Sequence, residues 1–410
     1  MKFKIVELEE AQDILLNNIN PLQGETILIE NLNGRVLAED IYSPINVPSF
    51  KKSPLDGFAL RAEDSKGACK DKPVKITIVD EVQAGDTRQI SRIEGGCGVK
   101  ILTGAPIPDG LDVVIKKEDV LYEEEQISLT EELPSDSNVI FIGSDMKEGE
   151  LLLSKGELLG PYYVGILAAV GLTQIKTYKN PQVAVLSTGS ELKLPGEELE
   201  HGQIYNSNLP SLIALINSLG GKGRSLGCIS DDTTAIAEKI LVALQDNDLI
   251  VTTGGASVGD YDLIEAAFRY IGAEILFNRV NIKPGTPVIG AVKDGKLMIG
   301  LSGNPAAALI SFELLVRPLI KKFQGFKNIK QPILEVILEE GFSKKSPQRR
   351  YLRVHVSYEN GKWVAKQTGK QASSIMKSMA GCNALIDIPA GTGPIPPGVI
   401  VKAVLLKEEI

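Results

Sequence analysis

At 410 residues, with 43% hydrophobic and 23% charged side chains, the chain is too apolar to be disordered and long enough for two to four cores. Its formal net charge of −8 argues against a surface built for nucleic acid or anionic membrane, so any phosphate binding has to be local. No apolar run reaches the roughly 18 residues of a membrane span, and Met1-Lys2-Phe3-Lys4 runs into acidic sequence, which predicts a cytoplasmic protein. Cys69, Cys97, Cys228 and Cys382 are widely separated, so reduced thiols are expected rather than zinc ligands or disulfides. With only His201 and His355 present, chemistry falls to carboxylates, lysine, arginine and a hard cation.

In chain order, residues 5–40 read as one or two amphipathic helices, with Ile14-Leu15 and Ile27-Leu28 as apolar positions and Asn33-Gly34 as a break. Short strands then follow between about 47 and 139, among them 75–79, 98–102 and 112–116, predicting a small β-rich domain. A helical stretch resumes at 160–171, consistent with the β-rich block being an insertion. From 181 to about 326, strand-like runs at 183–186, 226–229, 249–251 and 297–301 alternate with helical patterns at 209–219, 233–244, 262–271 and 305–323, as parallel βαβ units do. The last 80 or so residues hold runs at 333–338, 351–356 and 363–366 and the turn Ile395-Pro396-Pro397-Gly398, suiting a small β-barrel or sandwich.

Three of the α/β strands end in loops of small residues: Ser187-Thr188-Gly189-Ser190-Glu191, Thr252-Thr253-Gly254-Gly255-Ala256-Ser257 and Ser302-Gly303-Asn304-Pro305. Loops of this kind at strand-to-helix junctions aim backbone N–H groups at anions. Asn304 suits an N-cap and Pro305 the first helical position. Three such loops on parallel strands predict a crevice at the carboxyl ends of the sheet that holds a phosphorylated ligand. Glu191, Asp231-Asp232, Asp260 and Asp262 sit at the same junctions. A Mg²⁺ ion among them reconciles carboxylates with phosphate, while helix capping is the plainer role for Asp231 and Asp232. Asn206-Ser207-Asn208 reads as a further helix cap. Lys283-Pro284-Gly285-Thr286-Pro287 offers a cation in a fixed turn, and Arg349, Arg350 and Arg353 make a basic patch suited to a dianion or to guarding a hairpin edge.

The order of Leu55-Asp56-Gly57-Phe58-Ala59, Thr103-Gly104-Ala105-Pro106, Ser187-Thr188-Gly189-Ser190-Glu191-Leu192, Gly202-Gln203-Ile204-Tyr205-Asn206, Gly254-Gly255-Ala256-Ser257-Val258-Gly259, Ile282-Lys283-Pro284-Gly285 and Gly303-Asn304-Pro305 resembles the molybdopterin molybdenumtransferases, the MoeA and gephyrin E-domain family, over nearly the whole chain. The resemblance implies an α/β multidomain fold. Its parts would be a helical linker domain (1–46 and 140–179), a β-rich insertion domain (47–139), a three-layer α/β molybdopterin-binding domain (180–327) and a C-terminal small β-barrel (328–410). It also implies a homodimer whose cleft lies between the α/β domain of one subunit and the insertion domain of the other. The implied activity is insertion of molybdate into adenylated molybdopterin with Mg²⁺ and release of AMP, with a molybdopterin adenylyltransferase as a possible partner. Carried residue by residue, Asp56, Thr103, Asp145, Glu191, Asp231 and Asp262 would be catalytic. Glu191, Asp231 and Asp262 would hold the metal. The pterin nucleotide and oxyanion would meet Ser187, Thr188, Gly189, Asn206, Gly254, Gly255, Ser257, Lys283, Pro284, Gly285, Ser302, Gly303, Asn304, Pro305, Arg353 and Ser373. Three positions depart from the family's pattern: Ile140-Phe141-Ile142 replaces an arginine-rich approach to Asp145, and Thr286 and Arg279 stand where lysines are expected. Adenylylation of molybdopterin, a tungstate-preferring homologue and a non-catalytic pterin-binding scaffold are the competing readings.

Overall fold

The computed structural model describes residues 4–88, 90, 92–255 and 263–407. The chain forms two compact units, one of Met1–Glu39, Gly156–Gly160 and Ile175–Ile410, the other of Asp40–Lys155 and Pro161–Gln174. Of the helices expected near the start, one forms, α1 (Leu8–Asn17). The second is corrected: Gly24–Leu28 is a strand, paired with Gln174–Tyr178. Pro21 ends helical continuation, and the β-branched Thr26 and Ile27 then favour extended backbone.

The smaller unit is a six-stranded mixed sheet of β1 (Gly57–Leu60), β2 (Val74–Val82), β3 (Cys97–Ile101), β4 (Val113–Lys116), β5 (Leu121–Glu123) and β6 (Gln126–Leu129), in the order β4-β1-β3-β2-β6-β5. Only β2 and β3 run parallel among these pairings. Alternation places Phe58 and Leu60 in one apolar layer and Ala59 in another. Ile76 and Ile78 share the first layer but Val82 joins the second, because the register slips between Ile78 and Asp80 and a one-residue slip turns every following side chain over. Helix α2 (Pro161–Ala169) is apolar throughout, yet only Leu167 within it is buried and Tyr162 is 89% exposed.

The larger unit is built on β7 (Gln182–Thr188), β8 (Lys222–Ile229), β9 (Leu249–Thr253), β10 (Glu274–Phe277), β11 (Ile289–Lys293) and β12 (Lys296–Leu301), in the order β8-β7-β9-β12-β11-β10. The first four are parallel, as the alternation predicted, and β11 and β10 extend the sheet antiparallel. Val183, Val185, Val251 and Ile299 pack on one face with α1, α3 (Asn208–Ser218) and the helical run that starts at Pro305. Ala184, Leu186, Ile250 and Met298 pack on the other with α4 (Thr233–Asp246) and α5 (Leu263–Tyr270). This is a three-layer α/β domain. The helix expected over 305–323 is interrupted: α6 (Pro305–Ser311) passes through a π segment, Phe312–Val316, into α7 (Arg317–Phe323). Pro318 has no N–H for the ladder and its ring crowds the preceding turn, a common cause of such bulges.

The closing strands, β13 (Ile333–Leu338), β14 (Arg349–Glu359), β15 (Lys362–Gln367), β16 (Ala384–Ile388) and β17 (Val399–Leu405), pair as β14-β15-β13-β17-β16 and back to β14. They form a closed five-stranded barrel around Val336, Leu338, Leu352, Val354, Ala384 and Ile386. The segment Ile282–Lys283 runs parallel to the start of β14, with Ile282 beside Arg349 and Lys283 beside Arg350.

Candidate functional site

In the larger unit, β7 is flanked by β8 on one side and β9 on the other, so the loops after β7 and β9 diverge at the switch point where open α/β sheets bind ligands. The loops are tied together by asparagines. Asn206 Oδ1 accepts from Ser187 Oγ (3.3 Å) and Leu209 N–H (3.1 Å). Asn208 Nδ2 donates to Thr253 Oγ1 (2.8 Å) and to the Gly303 carbonyl (2.9 Å). Thr253 Oγ1 donates to the Ser302 carbonyl (2.9 Å), and Gly254 N–H to the Leu301 carbonyl (3.3 Å). Ser187, Thr188, Gly189, Asn206, Gly254, Gly255, Ser302, Gly303, Asn304 and Pro305 are thus gathered along one end of the sheet. Ser257 and Asp262 lie outside the described residues. Asn304 holds the N-cap position without a side-chain cap bond, while its N–H donates to Ser302 Oγ (3.2 Å). Buried Thr188 Oγ1, Asn206 Nδ2 and Asn208 Oδ1 have no hydrogen-bond partner among the described residues, and unmet polar capacity in this position is what a polar ligand would satisfy.

The aspartate pair divides its roles. Asp232 caps α4, its carboxylate accepting from Thr234 N–H (2.8 Å) and Ala235 N–H (2.9 Å). Asp231 instead turns to the β7 loop, Oδ2 lying 3.4 Å from both the N–H and the hydroxyl of Ser190. The Glu191 carboxylate lies back over Gly189, 2.7 Å from where a Cβ would stand there. Burial, then the charges of Glu191 and Asp231, push the Cys228 thiol up, so both exposed carboxylates address the same rim. Among the described residues no group of three His, Cys, Asp or Glu side chains could hold a metal.

A cavity of about 1080 Å³ opens beside the β12 loop. Ser302 and Asn304 of the β12 loop line it together with Lys283, Pro284, Gly285 and Ser373, all expected from the sequence, with Arg350 of the basic patch, and with Lys344 and Lys370, which the sequence did not single out. The 369–373 segment is fixed over α6 by Ala306 N–H donating to the Ser373 carbonyl (3.0 Å). Arg353 stands behind the cavity wall, its Nε and Nη1 without a hydrogen-bond partner among the described residues. It is 0% exposed and does not line the cavity. Its Nη2 donates to the carbonyls of Lys370 (3.2 Å) and Ala372 (3.1 Å), so it braces the cavity wall from behind. Thr286 lines the cavity, but its hydroxyl donates to the Ile282 carbonyl (2.7 Å).

In the smaller unit, Asp56 stands just before β1 and Thr103 just after β3. Asp56 Oδ1 accepts from the N–H and the hydroxyl of Thr103, both at 2.8 Å, and Lys117 Nζ is 3.8 Å from Oδ2. The Thr103 backbone bond, then its hydroxyl, then Lys117 hold the Asp56 carboxyl below the usual carboxylate range. A depressed carboxylate keeps its charge further into acid. Thr103→Ala removes the hydroxyl but not the N–H, so Asp56 is expected to titrate at higher pH than in the parent protein. Carboxyl NMR titration reads this directly, and an unmoved Asp56 resonance would remove Thr103 as its partner. Asp145 is exposed, with its N–H donating to the Val47 carbonyl (3.0 Å). Nearby Phe141 and Ile142 are exposed apolar side chains.

Comparison with known proteins agrees with this layout. Residues 6–171 match the family model of the MoeA N-terminal region (domain I and II), 184–322 that of a "probable molybdopterin binding domain", and 335–406 that of the MoeA C-terminal region (domain IV). The molybdopterin molybdenumtransferase of Staphylococcus epidermidis (strain RP62A) is 35% identical, and that of Staphylococcus aureus (strain Mu50) 32% identical, each over 98% of this chain and 96% of the relative. A crystal structure of the molybdopterin biosynthesis MoeA protein from Pyrococcus horikosii superposes with a TM-score of 0.88 at 33% identity, covering 98% of this chain and 100% of that one. With its three regions matched in order and a relative of this similarity along nearly its whole length, the chain belongs to the MoeA family.

Proposed function

We propose that the protein is a molybdopterin molybdenumtransferase, inserting molybdate into adenylated molybdopterin with release of AMP in molybdenum cofactor biosynthesis. The observation that carries this reading is that Ser302 and Asn304 belong both to the strand-end loops and to the wall of the cationic cavity. A pterin phosphate held by the loops and an oxyanion held in the cavity would therefore be neighbours. The loops at 187–191, 253–255 and 302–305 would bind phosphate and pterin groups through N–H donors and the unpartnered side-chain atoms of Thr188, Asn206 and Asn208. Lys283, with Ser373, would attract the oxyanion.

Glu191 and Asp231 suit Mg²⁺, which takes hard oxygen donors and is held by one or two carboxylates with water and substrate phosphate filling the remaining positions; Asp262 is assigned with them. When bound there, Mg²⁺ would draw charge from the adenylate phosphate as the phosphoanhydride breaks. Asp56, kept ionised by Thr103, is assigned to the reaction together with Asp145. Chelation by EDTA is expected to bring AMP release to background, with recovery on adding Mg²⁺; release that persists in EDTA would remove the metal from the scheme.

A homodimer completes the reading, and the apolar, mostly uncovered α2 supports it, since such a surface on a soluble protein marks an interaction site. Cytoplasmic location, a molybdopterin adenylyltransferase as supplier of substrate, and division into 1–46 with 140–179, 47–139, 180–327 and 328–410 belong to the same proposal.

A further inference from the structure

We propose that Phe141, with Lys51 laid over its ring, is a nucleotide-recognition element: the ring stacks on the adenine of the substrate and the ammonium meets its phosphate. The inference deepens the transferase reading and rests on it. That reading gives the pterin and the oxyanion their residues in the larger unit and leaves the adenosine end of the substrate with none.

In the smaller unit, residues 47–53 run between two loops. On one side Ile107 N–H donates to the Lys51 carbonyl (2.9 Å), Ser53 N–H to the Ala105 carbonyl (3.1 Å) and Gly104 N–H to the Ser53 carbonyl (2.8 Å). On the other, Lys52 and Ile140 exchange both backbone bonds, at 3.0 and 2.9 Å, and Gly143 N–H donates to the Pro48 carbonyl (2.9 Å). Ser144 N–H closes a turn onto the Phe141 carbonyl (3.2 Å), with Gly143 at φ +66° in its third position. The turn therefore holds Phe141 beside Lys51 on the loop that also carries Asp145, while Thr103 belongs to the loop opposite.

Phe141 is 40% exposed, and Phe50 and Ile142 are exposed as well. Lys51 Nζ lies 5.4 Å from the centre of the Phe141 ring, within the range of a cation–π contact. Asp56 is already met by Thr103 and Lys117, and among the described residues no carboxylate pairs with Lys51 or Lys52. Open aromatic surface beside two unmatched ammonium groups is what a nucleotide complements. Its base stacks on an aromatic ring, and its phosphate takes lysine as a point charge. An apolar peptide would cover the ring but leave both ammonium groups without a counter-charge.

The test is calorimetric titration of AMP and of ribose 5-phosphate into the purified full chain with Mg²⁺, alongside the KM for adenylated molybdopterin. Phe141→Ala is expected to weaken AMP binding by about 5- to 100-fold, as loss of one base stack does. It should raise KM in step and leave ribose 5-phosphate binding unchanged. Phe141→Tyr should keep the parent affinity and Phe141→Leu should not, because an apolar side chain without a π-face does not stack. Lys51→Ala should weaken both ligands, most strongly at low salt. An active parent whose Phe141→Ala variant keeps its AMP affinity and KM would overturn this inference alone. So would a variant that loses self-association in sedimentation while keeping its AMP affinity, which would make the patch a contact between protein copies. A parent that binds AMP but releases none from adenylated molybdopterin would overturn the transferase reading, and the Phe141 series on AMP then decides the nucleotide site separately.

Discussion

Glu191→Gln is expected to slow Mg²⁺-dependent AMP release by about 10²- to 10³-fold, the several kcal/mol that a metal-held charge contributes at a breaking phosphoanhydride. The substitution keeps the size of the side chain and removes its charge. Glu191 is exposed and its backbone carbonyl, not its carboxylate, carries the local structure by accepting from Ile204 N–H (2.9 Å). The thermal midpoint should therefore stay close to that of the parent, since exposed substitutions away from packing features rarely matter to stability. Removing the charge also relieves the Cys228 thiol of one of the carboxylates that push it up, so thiol titration should move down and report that Glu191 faces this rim. Turnover within a few-fold of the parent at ordinary Mg²⁺ would take Glu191 out of the reaction. Full recovery at high Mg²⁺ would confine its role to metal affinity.

Gly254→Ala carries the largest expected effect on stability. The residue has φ +97°, and a Cβ there would stand 2.1 Å from the Thr188 carbonyl oxygen, a contact with backbone that no side-chain rotation relieves. Left-handed strain and overpacking together are expected to cost about 2–5 kcal/mol, which lowers the thermal midpoint by roughly 5–15 °C. The displaced loops after β7 and β9 would also weaken binding of the pterin nucleotide. Gly295→Ala is the control. Asp294 and Gly295 turn the β11–β12 hairpin with φ of +51° and +75°, and nothing lies within 4 Å of a Cβ at Gly295, so only backbone strain of about 1–2 kcal/mol is expected. Differential scanning calorimetry of the two variants separates the effects. Equal losses would mean that the Thr188 carbonyl moves aside and that the two loops are not locked.

Much of the α/β domain was legible because its signals are local. Val183 to Leu186 are apolar on both faces, as a central parallel strand must be, and the loops that follow the strands contain the glycines and caps that tight junctions need. The barrel was legible from the strand-like runs and turns after residue 331. Other features depend on contacts between distant segments. Thr26 and Ile27 could have served a helix or a strand until Gln174–Tyr178 supplied a partner. The slip at Ile78 and Asp80 leaves no mark in composition. Asp231 and Asp232 are chemically identical, and only the start of α4 at Thr233 decides which one caps. Arg350 and Arg353 are three residues apart on one strand, so alternation sends them to opposite faces. Which face meets the cavity is set by the pairing of Ile282–Lys283 with β14, and the matched motif pointed to the arginine that is enclosed.

The most direct measurement is AMP release from adenylated molybdopterin in a single turnover, with purified protein, Mg²⁺ and a molybdate series, tungstate being run in parallel. The account predicts AMP and finished cofactor formed one for one, only when the oxyanion is present and at low concentration of it. Tight binding of the pterin nucleotide without AMP release, whatever the oxyanion, would contradict the account and leave the protein a pterin-binding scaffold.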